Sequence, residues 1–158
     1  MTKREAIRAE LEETRKNFHQ LLDSLSNEDL RRKSINARWT IGELLVHVIY
    51  WLDYTPRIVE MLRKGTGIRN VPVLLFDLAN IWLTRFAARK VTVRSIGLRY
   101  DEAHDVTLRA LDGVRDDEWG KSATFIKGEV STMESIFHSI RSHFEEHAVQ
   151  IRESLGHD

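Results

Sequence analysis

Apolar side chains recur every three to four residues along most of the chain, which is the spacing of amphipathic helices and not the alternation of strands. From about Lys3 to Leu25 the stripe is Ile7, Leu11, Thr14, Phe18, Leu21, Leu22 and Leu25. His19, next to Phe18, reads as a surface or core-edge histidine. Ser26-Asn27-Glu28-Asp29 has the form of an N-cap with a carboxylate at N3, opening a short helix before a loop over Lys33 to Arg38. Thr40-Ile41-Gly42-Glu43 is a capping box, with Thr40 accepting from the N3 amide and Glu43 reaching back. A long helix should follow to about Arg63, turn Ile41, Leu44, Val48, Leu52, Thr55 and Val59 inward, and end at Gly65-Thr66-Gly67. Pro56 has no amide hydrogen, so a kink or break near Tyr54 or Thr55 is expected.

A third helix, from about Pro72 to Arg89, is apolar on nearly every side: Val73, Phe76 and Leu83 lie roughly opposite Leu74, Leu78 and Trp82. A helix wet on one face would not look like this. Other segments cover it or it forms a subunit interface, and a homodimer is the favoured expectation over a loop packed on top. Lys90 to Leu98 is β-branched with a glycine and reads as an extended connection. A fourth helix runs from about Tyr100 to Leu111, followed by a short helical turn over Val114 to Trp119. Ser131-Thr132-Met133-Glu134 reads as another capping box and opens a final helix to Leu155. The pattern predicts an all-α helical bundle, with residues 1–158 forming one domain.

The final helix carries His143 and His147 four residues apart, where two imidazoles stack on one face and can share a metal ion. At about 100° per residue, His147 lies within about 20° of Ile140 and His143 about 60° to one side, so both face the interior or its edge. His138 points about 160° away and should be solvated. On the second helix, His47 falls on the flank about 100° from Val48 and next to Trp51, a side that can face a cavity. His104, amid Asp101, Glu102 and Asp105, reads as exposed, and His157 lies in the tail. Core histidines that hydrogen-bond one another would give the same spacing as a metal site.

Composition removes several chemistries. There are no cysteines, so disulfides, thiolate catalysis and cysteine-ligated metals are excluded, and a reducing cytoplasm is the expected compartment. Lys plus Arg equals Asp plus Glu at 24 each, which offers nucleic acid or an anionic membrane no bulk attraction. Val71 to Ala88, the most apolar stretch, contains Asp77, Asn80 and Arg85, each costly in lipid, so no membrane span is expected. The N-terminus has no apolar core and reads as charged helix turns, not as a secretory signal. His143-Phe144-Glu145-Glu146-His147 has Phe144 where the zinc-protease pattern needs glutamate, and no glutamate has a histidine three residues later as a di-iron bundle would require. Neither a P-loop, GxGxxG nor GxSxG occurs.

Trp39-Thr40-Ile41-Gly42-Glu43-Leu44-Leu45-Val46-His47 and His143-Phe144-Glu145-Glu146-His147-Ala148-Val149-Gln150-Ile151 resemble the two motifs of the DinB/YfiT-like superfamily of metal-binding proteins. Their order and separation agree along nearly the whole chain. The resemblance implies a four-helix bundle with long crossover connections, commonly a homodimer. It also implies that His47, His143 and His147 ligate a divalent ion, Zn or Ni. Three neutral imidazoles leave a position for water or substrate, the layout of a catalytic and not a closed structural site. A metal-dependent hydrolase or a thiol S-transferase using a low-molecular-weight thiol cosubstrate is therefore expected, acting on a small molecule. The alternative is a non-catalytic, stress-related dimeric bundle or small-ligand carrier. Glu43 is expected to be occupied by capping. Arg85 projects into its helix's apolar stripe, either as an anion holder in the pocket or, the favoured reading, with its head in a salt bridge or at the surface.

Overall fold

The structure is a computed structural model that describes residues 1–36, 38–67, 73–125 and 128–156; the side chains of Val73, Leu74 and Phe76 are outside that description. The expected start of the third helix at Pro72, the facing of those three side chains and the position of His157 therefore lie outside the described residues. In chain order the elements are α1 (Lys3–Asp23), a 3-10 turn (Asp29–Arg31), α2 (Ile41–Lys64), α3 (Val73–Ala88), α4 (Val93–Asp112), a second 3-10 turn (Asp116–Glu118), β1 (Ser122–Thr124), β2 (Val130–Thr132) and α5 (Met133–Leu155). Helices α1, α2, α4 and α5 form the bundle: α2 packs on α4 and α5, and α1 packs on the same two. Helix α3 lies on the connection from α2 to α4 and packs chiefly against α2.

The predicted α1 stripe is buried along its length, and Phe18 stacks on Tyr100 of α4 with ring centroids 3.9 Å apart. Both rings are fully excluded from solvent, and each such aromatic contributes on the order of 2–3 kcal/mol through burial. At the start of α2 the Thr40 side chain accepts from the Glu43 amide while Glu43 accepts from the Thr40 amide, as the capping-box pattern requires. At its end Gly65 adopts φ 63°, the left-handed cap. Gly67, at φ 57°, lets the chain pass the hairpin: a Cβ there would stand 2.1 Å from the Thr124 carbonyl oxygen. The antiparallel hairpin pairs Ser122 with Thr132 and Thr124 with Val130; three-residue strands carry too little alternation to signal themselves.

Four expectations need correction. Pro56 does not break α2, which is continuous from Ile41 to Lys64. The proline removes the donor for the Leu52 carbonyl, and the Thr107 hydroxyl of α4 supplies one at 3.2 Å. Residues 93–98 are not extended: α4 begins at Val93, because Thr92 and Ser95 exchange capping hydrogen bonds and override the β-branched run. Gly97 marks close helix contact, since a Cβ there would meet Leu22 and His19 of α1 at 3.3 and 3.4 Å. That earlier start sets the phase of α4 so that Ile96, Tyr100, Ala103, His104, Thr107 and Leu111 all face inward. His104 is accordingly buried, only 2% exposed, stacked along Tyr100. Burial pushes its pKa down, partly offset by Glu12 and Asp105. Finally, α5 is capped by Thr132 with Ser135 at N3, one residue beyond the predicted box; Glu134 instead pairs with Lys3 at 2.6 Å.

Helix α3 leaves Leu75, Leu78, Trp82, Leu83 and Phe86 exposed, between 44% and 71%. Among the described residues no loop covers this face. No helix among those described is long and apolar enough to cross a membrane.

Because the Leu52 carbonyl sits in a buried seam, Thr107→Val should leave it without a donor and cost about 1–3 kcal/mol, whereas Thr107→Ser should cost less than half as much. Urea denaturation of the two variants measures the difference; equal stability would assign no role to this hydrogen bond.

Candidate metal centre

His47 projects from the second turn of α2, and His143 and His147 from the middle of α5, the two helices whose packing brings the rings together. The His143 Nε2 atom lies 3.2 Å from His47 Nε2 and 3.2 Å from His147 Nε2. One ligand nitrogen from each residue falls within 4.8 Å of the other two. His147 is 8% exposed; His47 and His143 are half-buried. His138 points away from the cluster and is exposed, its Nδ1 2.9 Å from Glu10 Oε2. His19 sits at the core edge on Asp101, 2.8 Å from its Oδ1.

The protons around this cluster decide what it can do. Gln150 Oε1, an acceptor, stands 2.9 Å from His147 Nδ1, so Nδ1 carries the hydrogen and Nε2 presents its lone pair to the cluster. Burial, with the neighbouring imidazoles adding to it, pushes His143 down to about 3. Burial first and then His147 push His47 down to about 4, with Asn80 offsetting part of the shift. Both rings are therefore neutral at pH 7. Three imidazoles that bring one nitrogen each together are a donor set suited to a divalent ion: two ligands about 2.0–2.1 Å from a tetrahedral ion stand about 3.3 Å apart. The buried Nδ1 atoms of His47 and His143 have no hydrogen-bond partner among the described residues.

Aromatic rings hold the imidazoles in place. Trp39, 7% exposed, stacks on His47 with centroids 5.5 Å apart and planes 24° apart. Trp51 leans on His143 at 5.4 Å, and its indole N–H donates to Ser139 Oγ at 3.0 Å. Next to the cluster opens a cavity of about 500 Å³, whose walls include His47, His143, Tyr50, Trp51, Tyr54 and Asn80. Glu43 is engaged in the helix cap, with Arg85 Nε 3.9 Å away. Arg85 also donates to the Arg38 carbonyl at 3.1 Å, so its head is tied to the start of α2 and does not serve the cavity as an anion holder. Glu145 pairs with Arg141 on the exposed face of α5, and Glu146 is exposed. Sequence reasoning passed over Gln150 and Ser139 as supports. For Gln150 the signal was its spacing, three residues after His147 on one helix; Ser139 acts on Trp51 of the other helix and had none.

The model of the DinB superfamily matches residues 10–151. The chain belongs to the DinB superfamily. Among solved structures, YfiT from Bacillus subtilis, described as a probable metal-dependent hydrolase with an unusual four-helix bundle topology, aligns over 100% of this chain and 91% of its own, with TM-score 0.72 and 15% identity. A protein from Streptococcus pneumoniae aligns over 97% and 90%, with TM-score 0.74 and 15% identity. The mycothiol-dependent maleylpyruvate isomerase has TM-score 0.74 at 12% identity; the match covers 96% of this chain and 61% of the isomerase, which is the longer protein. At such identities the likeness is one of fold. No curated protein sequence matches the chain.

With both pKa values depressed from 6.5, protons bind the unfolded chain before the folded one. Stability of the metal-free DinB protein should therefore decline as pH falls from about 6.5 toward 4. In a histidine NMR titration of metal-free protein, His47 and His143 should stay neutral at pH 5; titration of either near 6.5 would contradict the buried geometry.

Proposed function

We propose that this DinB protein is a metal-dependent enzyme acting on a small molecule, with one divalent ion, Zn or Ni, held by His47, His143 and His147. The observation that carries the reading is the convergence of three imidazole nitrogens beside an open cavity. Such an ion, when bound, supplies Lewis acidity that can activate water for hydrolysis or acidify the thiol of a low-molecular-weight cosubstrate. The chain's own residues do the rest. Gln150 fixes the His147 tautomer, and Trp39 and Trp51 hold two rings in position. Hydrolysis and thiol S-transfer both fit this layout, and the fold likeness to a probable hydrolase and to a mycothiol-dependent isomerase supports trying both.

A second reading, a non-catalytic ligand carrier, is favoured by one observation. Among the described residues no carboxylate is hydrogen-bonded to the three imidazoles, so no general base is in place beside them. Self-association belongs to either reading: the exposed Trp82, Leu78 and Phe86 face of α3 supports a homodimer.

Protein purified without a histidine tag should carry about one divalent ion per chain. His143→Ala combined with His147→Ala should abolish binding, and Gln150→Leu should weaken it about 10–100-fold. Elemental analysis and competition with a chelator measure this; full metal retention in the double variant would overturn the assignment. Metal-loaded protein that neither hydrolyses model esters and amides nor transfers thiols would favour the carrier. For assembly, light scattering should report a dimer that Trp82→Glu converts to monomer, and a monomeric parent protein would remove the homodimer from the proposal.

A further inference from the structure

The cavity beside the imidazoles has a composition that bears on what enters it. Four residues of α2, His47, Tyr50, Trp51 and Tyr54, recur at the spacing of one helix face and all line it. This face is separate from the core stripe of the same helix, through Leu44, Val48, Leu52 and Thr55, which is buried. Two of the rings are pinned. The Trp51 indole donates to Ser139, and the Tyr50 hydroxyl donates to the Leu83 carbonyl of α3 at 3.4 Å. Fixed aromatic surfaces recognise a planar apolar body at little entropic cost.

Charge narrows the choice further. Apart from the two lining imidazoles, which the metal reading gives to the ion, Asp53 is the sole formally charged side chain among the described residues that line the cavity. It makes no hydrogen bond or ion pair among the described residues, although it stands at the exposed rim. Partial burial, with Glu102 adding to it, pushes its carboxyl up, against the pull of Arg99. Arg57 and Arg99 lie over the Tyr54 and Tyr50 rings at 5.9 and 6.0 Å, yet neither lines the cavity. Away from the ion, an anionic tail would thus meet a carboxylate and no cationic side chain among the described lining residues. A cationic or hydrogen-donating group at the rim could pair with that carboxylate.

We infer that the cavity selects an aromatic substrate whose remote end is neutral or cationic, the ring lying against Trp51 and Tyr54 and the tail reaching Asp53. The inference rests on the metal reading above for the head group, which would engage the ion. It assigns Trp51 and Tyr54 to shape recognition and Asp53 to charge selection, and it disfavours substrates with a carboxylate or phosphate at the remote end.

Hydroxamates separate the two layers, because the same metal-binding head can carry different tails. In calorimetric titration of the zinc-reconstituted full chain, benzohydroxamate should bind about tenfold or more tightly than acetohydroxamate. The 4-aminomethyl derivative should exceed the 4-carboxy derivative by about threefold or more, and Asp53→Asn should erase that gap. Tyr54→Leu, checked for unchanged metal content and helical signal, should collapse the aryl preference. Equal affinity for benzohydroxamate and acetohydroxamate, or preference for the carboxy tail, would overturn the inference while leaving the metal site standing. Failure of every hydroxamate to bind zinc-loaded protein would overturn the open metal position itself, and the substrate inference with it.

Discussion

The site depends on three imidazole nitrogens held close together in a partly buried pocket where protonation is costly. His143 Nε2 is within 3.2 Å of both His47 Nε2 and His147 Nε2, so mutual repulsion between imidazolium ions and loss of hydration act in the same direction. Such a cluster does not stabilise the fold. It persists because α2 and α5 are clamped by a core whose members, among them Leu44, Val48, Phe137, Ile140 and Phe144, are almost fully buried. Stability is supplied by the bundle and strain of this electrostatic kind is concentrated at one place, which is where a protein holds groups for chemistry.

Helix α2 is the element that joins fold and site. Its core face carries the bundle contacts to α4 and α5, while a second face carries His47 and the cavity aromatics. Keeping the two faces in register over 24 residues requires an uninterrupted helix, and Pro56 threatens that continuity. The Thr107 hydroxyl from α4 satisfies the carbonyl that the proline leaves without its usual donor. A tertiary contact thus repairs a local defect, and the helix continues to its glycine cap. Helix α3 contributes Asn80 and the exposed Leu83 to the cavity wall, so the pocket wall and the exposed apolar face belong to one helix and meet at Leu83.

Much of this was legible in the residues. The apolar stripes of α1 and α5, the Thr40 capping box and the inward phase of His143 and His147 follow from helical periodicity, which local sequence encodes strongly. The meeting of His47 with the α5 pair depended on the likeness of two motifs to a known family, since no local rule links positions 96 residues apart. What escaped had tertiary causes. His104 is surrounded in sequence by acids, yet the capping exchange between Thr92 and Ser95 starts α4 early and rotates that histidine into the core. Pro56 looked like a break because the hydroxyl that satisfies the Leu52 carbonyl lies 55 residues from it in sequence. The anchoring of Trp51 by Ser139 also crosses between helices and leaves no sequence pattern of its own.

Cobalt substitution tests the central claim most directly, because the visible spectrum of Co(II) reports both its ligands and whether a position is open. The metal-free chain should bind one Co(II) through nitrogen ligands, and azide or a small thiol should then shift the visible bands. A spectrum without protein-bound Co(II), or one that exogenous ligands leave unchanged, would contradict an open three-histidine centre.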